Sequence, residues 1–293
     1  MSLDIPVAFA QKYRDDVIML SQQKESRLER TVRSDPDYLS GKAGYYDRIG
    51  STEAQEVTGR HSDTQIVSTP HSRRRIILRD FDWADMIDKK DMRRILNAGQ
   101  LPERYKQNAI WAMNRKKDDL IVAAGFGTAY AIDEDEGAAA VELPAGQLVP
   151  HGSAGLTLAK VLNAKEILDG NEVDEEEARF AVVSSKQITN MLNTTEVKSA
   201  DYNTIKALVK GEINEFLGFE WIRSERLPTN SSSHRRCMFY SQNAIGLATG
   251  EDIGVDIGPR RDKRNSIQVY VDFSQDATRI EDEKFVEVPC VES

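Results

Sequence analysis

Residues 164 to 228 constrain this chain more than any other stretch. An amphipathic helix runs into Leu168-Asp169-Gly170-Asn171-Glu172-Val173, with Gly170 placed to terminate it. An acidic turn follows, then Arg179 and the unbroken apolar run Phe180-Ala181-Val182-Val183, the composition of a buried strand. A short helix ending near Leu192 and a second helix from Tyr202 to Phe216 lead into a strand over Gly218-Phe219-Glu220-Trp221-Ile222-Arg223-Ser224, and Leu227-Pro228 closes the unit. Helices around a strand with no polar face describe a compact α+β unit.

The rest of the chain is laid out differently. In residues 1–36, Val7, Phe9, Tyr13, Val17 and Leu20 recur at helical spacing before a polar stretch that Pro36 interrupts, so this part reads as an arm that packs on something else. Tyr45-Tyr46-Asp47-Arg48-Ile49-Gly50 and Arg75-Ile76-Ile77-Leu78 are β-prone and flank a long polar connection, which suggests an extended two-stranded loop across residues 37–80. Such a ribbon is poorly stable alone and gains by lying against a neighbour. Pro102 to Ala124 is the longest helical pattern: Tyr105, Ala109, Ala112, Met113, Leu120 and Ala124 share a face, Pro102 suits the first turn, and Gly125 and Gly127 end it. A hairpin-like region, Thr128 to Gly155, precedes a helix with Leu158, Val161, Leu162 and Leu168 on one stripe. Toward the end, Ser266 to Phe273 and Lys284 to Val288 alternate with the period of strands.

Composition narrows the function classes. The 293 residues carry 39 basic and 48 acidic side chains, a net charge of −9. A chain whose main work is gripping nucleic acid carries a basic excess, because phosphate neutralisation dominates such affinity; this one does not. No apolar run approaches the roughly 18 residues of a membrane span, and the N-terminus has neither a basic region nor an apolar stretch that would suggest a secretory signal. Cys237 and Cys290 are the only cysteines, too few for a disulfide framework or a zinc pattern, as suits a reducing cytoplasm.

Candidate catalytic motifs fail on spacing. Gly125-Phe126-Gly127 follows a helix instead of a strand and lacks the third glycine of a dinucleotide loop. His151-Gly152-Ser153-Ala154-Gly155 lacks the residue that separates glycine from serine in a nucleophile elbow, and reads as a loop before a helix. His61, Asp63 and His71 lack further ligands for a metal, and neither Asp133-Glu134-Asp135-Glu136 nor Glu175-Glu176-Glu177 alternates as a calcium loop does. No cofactor and no metal is expected. The basic runs Arg73-Arg74-Arg75 and Pro259-Arg260-Arg261-Asp262-Lys263-Arg264 lack the interleaved aromatics of a nucleic-acid platform. They read either as solvated faces or as groups that meet acidic loops on neighbouring molecules. Trp83, Trp111 and Trp221 read as packing anchors.

The order helix, Leu168-Asp169-x-Asn171-x-Val173, Arg179, strand, then Gly218-Phe219-x-x-Ile222 and Leu227-Pro228, resembles the axial domain of tailed-bacteriophage major capsid proteins with the Hong Kong 97-like fold. The segment Ala277-Thr278-Arg279-Ile280-Glu281 resembles that family's closing segment. Two positions depart from the pattern: Asp174 stands where proline commonly follows the valine, and Ser184-Ser185 replaces a proline after the strand.

The resemblance implies an N-terminal arm (1–36), an extended β-hairpin loop (37–80), a peripheral domain with a long spine helix (81–149 and 251–293) and an axial domain (150–250). It further implies a structural protein without catalysis that assembles as hexamers and pentamers into an icosahedral head around double-stranded DNA. Its partners would be further copies of the chain, a separately encoded scaffolding protein, a portal and a decoration protein; its place would be the virion, after assembly in the host cytoplasm. Arg60, His61, Arg73, Arg74, Arg75, Asp133, Glu134, Arg260 and Arg261 are the candidate intersubunit contacts. An encapsulin-like nanocompartment shell, a tail or head-completion protein that forms rings and a soluble α+β enzyme are the competing readings.

Overall fold

The computed structural model describes residues 19–34, 41, 43–57, 59, 63–64, 66–92, 101–132, 138–193 and 215–292. The expected arm helix lies outside them except for Met19 and Leu20, which have no regular structure. In chain order the elements are β1 (Arg33–Ser34), β2 (Ala43–Ile49), β3 (His71–Ile77), β4 (Arg79–Ile87), α1 (Lys89–Met92), α2 (Leu101–Phe126), β5 (Ala129–Ile132) and β6 (Ala138–Val141). There follow α3 (Leu158–Gly170), β7 (Arg179–Val183), α4 (Ser185–Asn193), β8 (Glu215–Phe216), β9 (Phe219–Arg223), β10 (His234–Ser241), β11 (Ile245–Arg260), β12 (Ser266–Arg279) and β13 (Phe285–Val291).

The longest strands set the frame. β11 and β12 form an antiparallel hairpin from Ile245↔Arg279 to Arg260↔Ser266, flanked by the short β1 and by β4 in the order β1-β11-β12-β4. Strand alternation sends Val269, Val271 and Phe273 of β12 to one face, with Phe81 and Trp83 of β4 beside them. The 26-residue helix α2, about 39 Å long at 1.5 Å per residue, lays Ala109, Met113 and Leu120 on that face. Further along α2, Ile121 and Val122 belong to the main core instead, so one helix ties two cores together. Gly125, read from the sequence as a stop, lies inside the helix. A Cβ there would stand 2.7 Å from Phe285 Cε2 and 2.9 Å from Met238 Cε, so the glycine permits close approach of helix and sheet.

The main core surrounds a five-stranded sheet, β13-β10-β7-β9-β8. Every residue of β7 is buried, as its apolar run required; it pairs in parallel with β9 and antiparallel with β10. On α3, Val161, Ala164 and Leu168 face inward, while Leu162, expected on the same stripe, is exposed because it sits about 100° around from Val161. The helix expected to reach Phe216 lies outside the described residues up to Gly211-Glu212-Ile213-Asn214, and its last two residues form β8 instead. Leu217 and Gly218 both have positive φ (57° and 81°), the signature of a type I′ turn, which pairs Phe216 with Phe219 and gives the β8–β9 hairpin.

Two assignments are corrected here. Residues 284–288 were grouped with 268–273, yet β13 is an edge of the five-stranded sheet and pairs with β10 along Tyr240↔Phe285 to His234↔Val291. Alternation marks both segments as strands but says nothing about which sheet accepts them. The β2–β3 hairpin exists as expected, in register from Ala43↔Ile77 to Ile49↔His71, but its base is no free ribbon. β3 also pairs with β5, and β5 with β6, so the sheet has four strands.

Candidate assembly surfaces

The axial-type motif proves to be a helix terminus and its clamp. Val173 N donates to Leu168 O at 3.2 Å and Glu172 N to Asp169 O at 3.0 Å, with Glu172 in the left-handed region at φ 55°. This is the paired 6→1 and 5→2 bonding of a Schellman cap, and its apolar partners Leu168 and Val173 are both buried in the main core. Arg179 then locks the cap: Nη1 meets Asp169 Oδ1 at 2.5 Å and Nη2 donates to Val173 O at 2.8 Å. Asn171 donates to Glu283 O at 2.9 Å, pinning the turn to the segment before β13. Asp174 makes its own turn by accepting from Glu176 N at 3.0 Å, which accounts for the proline being dispensable. Gly218-Phe219 is the hairpin turn, and Leu227 O accepts from Arg235 Nη1 at 2.6 Å while Pro228 O accepts from Arg236 N at 3.0 Å.

The run Arg73-Arg74-Arg75 is split by strand alternation. Arg73 points outward and pairs with Asp47 at 2.6 Å. Arg75 lies in register between Tyr45 and Tyr130, both about half exposed (54% and 47%). Arg74 points inward, its side chain 3% exposed, so it is not available to a neighbouring molecule and that assignment is corrected. Its Nη2 binds Asp282, whose other oxygen takes Arg279 Nε at 2.5 Å. Burial lowers the pKa of Arg74, Asp282 opposes this, and Arg48 and Arg279 add to the lowering.

Arg279 carries no exposed surface and closes the end of α2. Its Nη1 donates to Gly125 O at 3.0 Å and Gly127 O at 2.9 Å, and its Nη2 donates to Val141 O at 3.1 Å. The last carbonyls of a helix have no partner within it, and a guanidinium supplies both donors and the favourable charge. One carboxylate therefore joins β3, the end of β12 and, through Arg279, α2. Sequence reasoning noted Arg279 only as part of a segment and missed Asp282. The sole signal was an arginine three residues before an aspartate at a strand end.

Asp118, also missed, sits in mid-helix, fully buried, and organises residues 23–28. It accepts from Ser26 Oγ at 2.6 Å, Arg27 N at 3.1 Å, Leu28 N at 3.2 Å and from Gln23 Nε2. Lys117 reaches Glu29 at 3.1 Å and Asp252 at 3.4 Å, and the hydroxyls of Thr31 and Tyr240 meet at 2.6 Å in the core. Desolvation raises the Tyr240 pKa, so that phenol stays neutral.

The second basic run occupies the tip of the β11–β12 hairpin. Arg260 binds Asp262 at 2.7 Å and Gln268 at 3.0 Å, while Arg261 is exposed. The Arg260 hydrogen bond holds the Asp262 carboxyl down to about 2. Arg60, His61, Asp133 and Glu134 lie outside the described residues. Among the described residues no group of His, Cys, Asp and Glu is arranged to hold a metal. His151-Gly152-Ser153 forms a turn before α3, with Ser153 N donating to His151 Nδ1 at 3.1 Å. Trp221 is a buried anchor that donates to Phe216 O at 3.1 Å, and Trp83 is half-buried against the α2 face. Trp111 is half-buried beneath Lys24, whose Nζ stands 5.4 Å from the ring centre.

A long helix laid on a long hairpin, a compact sheet with its own core, and a third sheet whose long β2–β3 connection is exposed at its described residues together define a shell-building subunit of the Hong Kong 97-like type. The chain matches the phage capsid protein family over residues 5–292 and belongs to that family. Solved structures with the same fold include the capsid of Ralstonia phage GP4, 12% identical with a TM-score of 0.74, covering 97% of this chain and 96% of that one. The capsid structure of the cyanophage P-SCSP1u is 15% identical at a TM-score of 0.72, covering 97% and 94%. The capsid of the Myoviridae phage XM1 is 13% identical at 0.63, covering 99% of each chain. No curated protein matches the sequence. The chain is thus a major capsid protein, a structural component of the virion and not an enzyme.

Proposed function

We propose that copies of this subunit associate as hexamers and pentamers into a closed icosahedral head around packaged double-stranded DNA. In this reading the five-stranded sheet with α3 and α4 is the axial domain, α2 on β4, β11 and β12 is the peripheral domain, and β2–β3 with its connection is the extended loop. The observation that carries it is the connection between β2 and β3. Val57 and Ile66 there are 81% and 96% exposed, next to Ile49 at 70%, while the hairpin base is fixed by the buried Arg74–Asp282 pair. A rigidly rooted extension that leaves its apolar residues in water gains stability only when another molecule covers them.

The partners in this reading are a separate scaffolding protein, a portal and a decoration protein, with assembly in the host cytoplasm and weak contact with the DNA. Electron microscopy of sedimented recombinant chain, alone and with a co-expressed scaffolding protein, tests the proposal. Closed shells tens of nanometres across support it; a monodisperse monomer or dimer under both conditions refutes it.

A further inference from the structure

The open face of the long sheet carries unbalanced charge. Alternation that sends Val269, Val271 and Phe273 toward α2 sends Tyr270, Asp272 and Ser274 the other way. Register then sets Asp82 directly opposite Asp272, while Asp80 and Glu251 flank Ser274 from the two sides and Asp256 stands opposite Tyr270. Among the described residues no hydrogen bond or ion pair holds the side chain of Asp80, Asp82, Glu251, Asp256 or Asp272. The nearest paired acid, Asp276, is already taken by Arg79 at 2.6 Å. A depression of about 290 Å³ opens around Tyr270, lined by Asp80, Asp82, Glu251 and Asp272. The tyrosine senses them: besides desolvation, Asp272, Asp82 and Glu251 raise its pKa.

Like charges directly opposite across a strand pair destabilise a sheet. An isolated subunit therefore holds these carboxylates at a cost that no cation within the described residues offsets. The same hairpin carries the opposite imbalance at its far end. Arg260, Arg261, Lys263 and Arg264 surround a single carboxylate, Asp262, which is spent on Arg260. Arg264 and Asn265 both sit at positive φ (55° and 58°), a tight turn that projects the tip beyond the sheet. Asp272 lies six steps along β12 from Ser266, roughly 20 Å of rigid strand at 3.3 Å per residue. At about 8 Å of Debye screening in physiological salt, the two patches of one copy do not serve each other.

We infer that the acidic face around Asp82 and Asp272 is the docking surface for the basic β11–β12 tip of a second copy of this chain. The proposal deepens the shell reading above and rests on it. Complementary patches at different places on one rigid element make a heterologous contact, the kind that propagates around a ring until rotation closes it. Charge then fixes which neighbour docks and in what register. Every copy brings both halves, which is why a second copy is favoured over a basic protein of another kind.

The test uses the full chain under conditions in which the wild type forms shells. Reversing the face (Asp82→Lys with Asp272→Lys) and, separately, the tip (Arg261→Glu, Lys263→Glu, Arg264→Glu) is expected to leave subunits that do not pellet as shells. Combining the two reversals is expected to restore shells. A milder pair, Asp82→Asn with Asp272→Asn, gives a signature that misfolding cannot imitate. Removing the like-charge pair raises the melting temperature of the unassembled subunit, while the concentration needed for assembly rises several-fold.

Shells that form normally from either reversal, or a combined variant that stays unassembled although folded by circular dichroism, overturn the inference. So does assembly that is abolished by a chelator yet indifferent to the tip reversal, which would assign the face to a divalent cation. A wild type that forms no shells at all refutes the shell reading itself and not this contact.

Discussion

Replacing Arg279 by alanine is the sharpest probe of how this subunit is held together. The guanidinium is completely buried and makes three bonds to carbonyls of Gly125, Gly127 and Val141 at 3.0, 2.9 and 3.1 Å, besides its pair with Asp282. Each hydrogen bond to a charged group contributes about 1.5–3 kcal/mol, but bonds that share one donor group do not add. Removing one member of a buried pair costs about 3–5 kcal/mol, because the remaining charge stays behind. Here Arg74 still compensates Asp282, while the end of α2 loses its cap, so the expected loss is about 3–4 kcal/mol.

At roughly 2 °C per kcal/mol for a chain of this size, the unassembled subunit should melt about 6–8 °C lower. Unassembled protein is required because assembly adds stability by mass action. Thermal unfolding followed by tryptophan fluorescence is the assay, with Arg279→Lys as the control. Lysine keeps the charge but not the fork that reaches carbonyls of two elements, so it should recover less than half of the loss. An alanine variant within about 1 kcal/mol of wild type would refute the idea that this residue joins helix, hairpin and closing segment.

Other perturbations test neighbouring parts of the fold. Gly125→Ala gains up to about 1 kcal/mol of helix propensity but drives a methyl against the buried ring of Phe285. The clash should win, with a net loss of about 1–2 kcal/mol in urea titration that a second change, Phe285→Leu, largely recovers; a stabilised variant would show that helix and sheet can part. Asp118→Ala leaves the backbone N–H groups of Arg27 and Leu28 without their acceptor. Limited trypsin digestion should then cut at Lys24 or Arg27 at least tenfold faster, and unchanged cleavage would mean that the segment is held elsewhere.

Glu177 offers a pH readout. Burial pushes its carboxyl up, but hydrogen bonds from Lys284, Ser241 and Asn243 together hold it below its ordinary value of 4.5. A depressed folded-state pKa adds stability that is complete above the unfolded value and lost as pH falls through the folded one. The melting advantage of wild type over Glu177→Gln should therefore be present at pH 7, begin to shrink below pH 4.5 and disappear in stronger acid. A difference that does not change with pH would refute the ion pair as its source.

Local pattern carried much of this fold, and its limits are instructive. The helix α2 was legible from the spacing of Tyr105, Ala109, Met113 and Leu120, and β7 from its unbroken apolar run, because both patterns are enforced by burial along one element. The motif from Leu168 to Arg179 was legible as a motif, and its physical content is local too: a helix cap closed within six residues and clamped ten residues later. β10 escaped notice, since Arg235 and Arg236 disguise a strand whose last five residues are buried. Their guanidiniums are satisfied by Glu292 and Glu287 on or beside β13, more than fifty positions away.

What the sequence determined by itself was therefore the period and polarity of each element, the family resemblance, and the alternation that must divide Arg73 and Arg75 from Arg74. What only the tertiary structure decided was which face became the inside. Arg74 is buried because Asp282, 208 positions later, waits there with Arg279, and Gly125 lies within a helix because Phe285 needs its space. The same holds for the open acidic face, where Asp82 and Asp272 became neighbours through strand register. Periodicity is set by bonds and side chains a few residues apart, whereas pairing is chosen by the free energy of burying whole surfaces together, and that quantity belongs to no single segment of the chain.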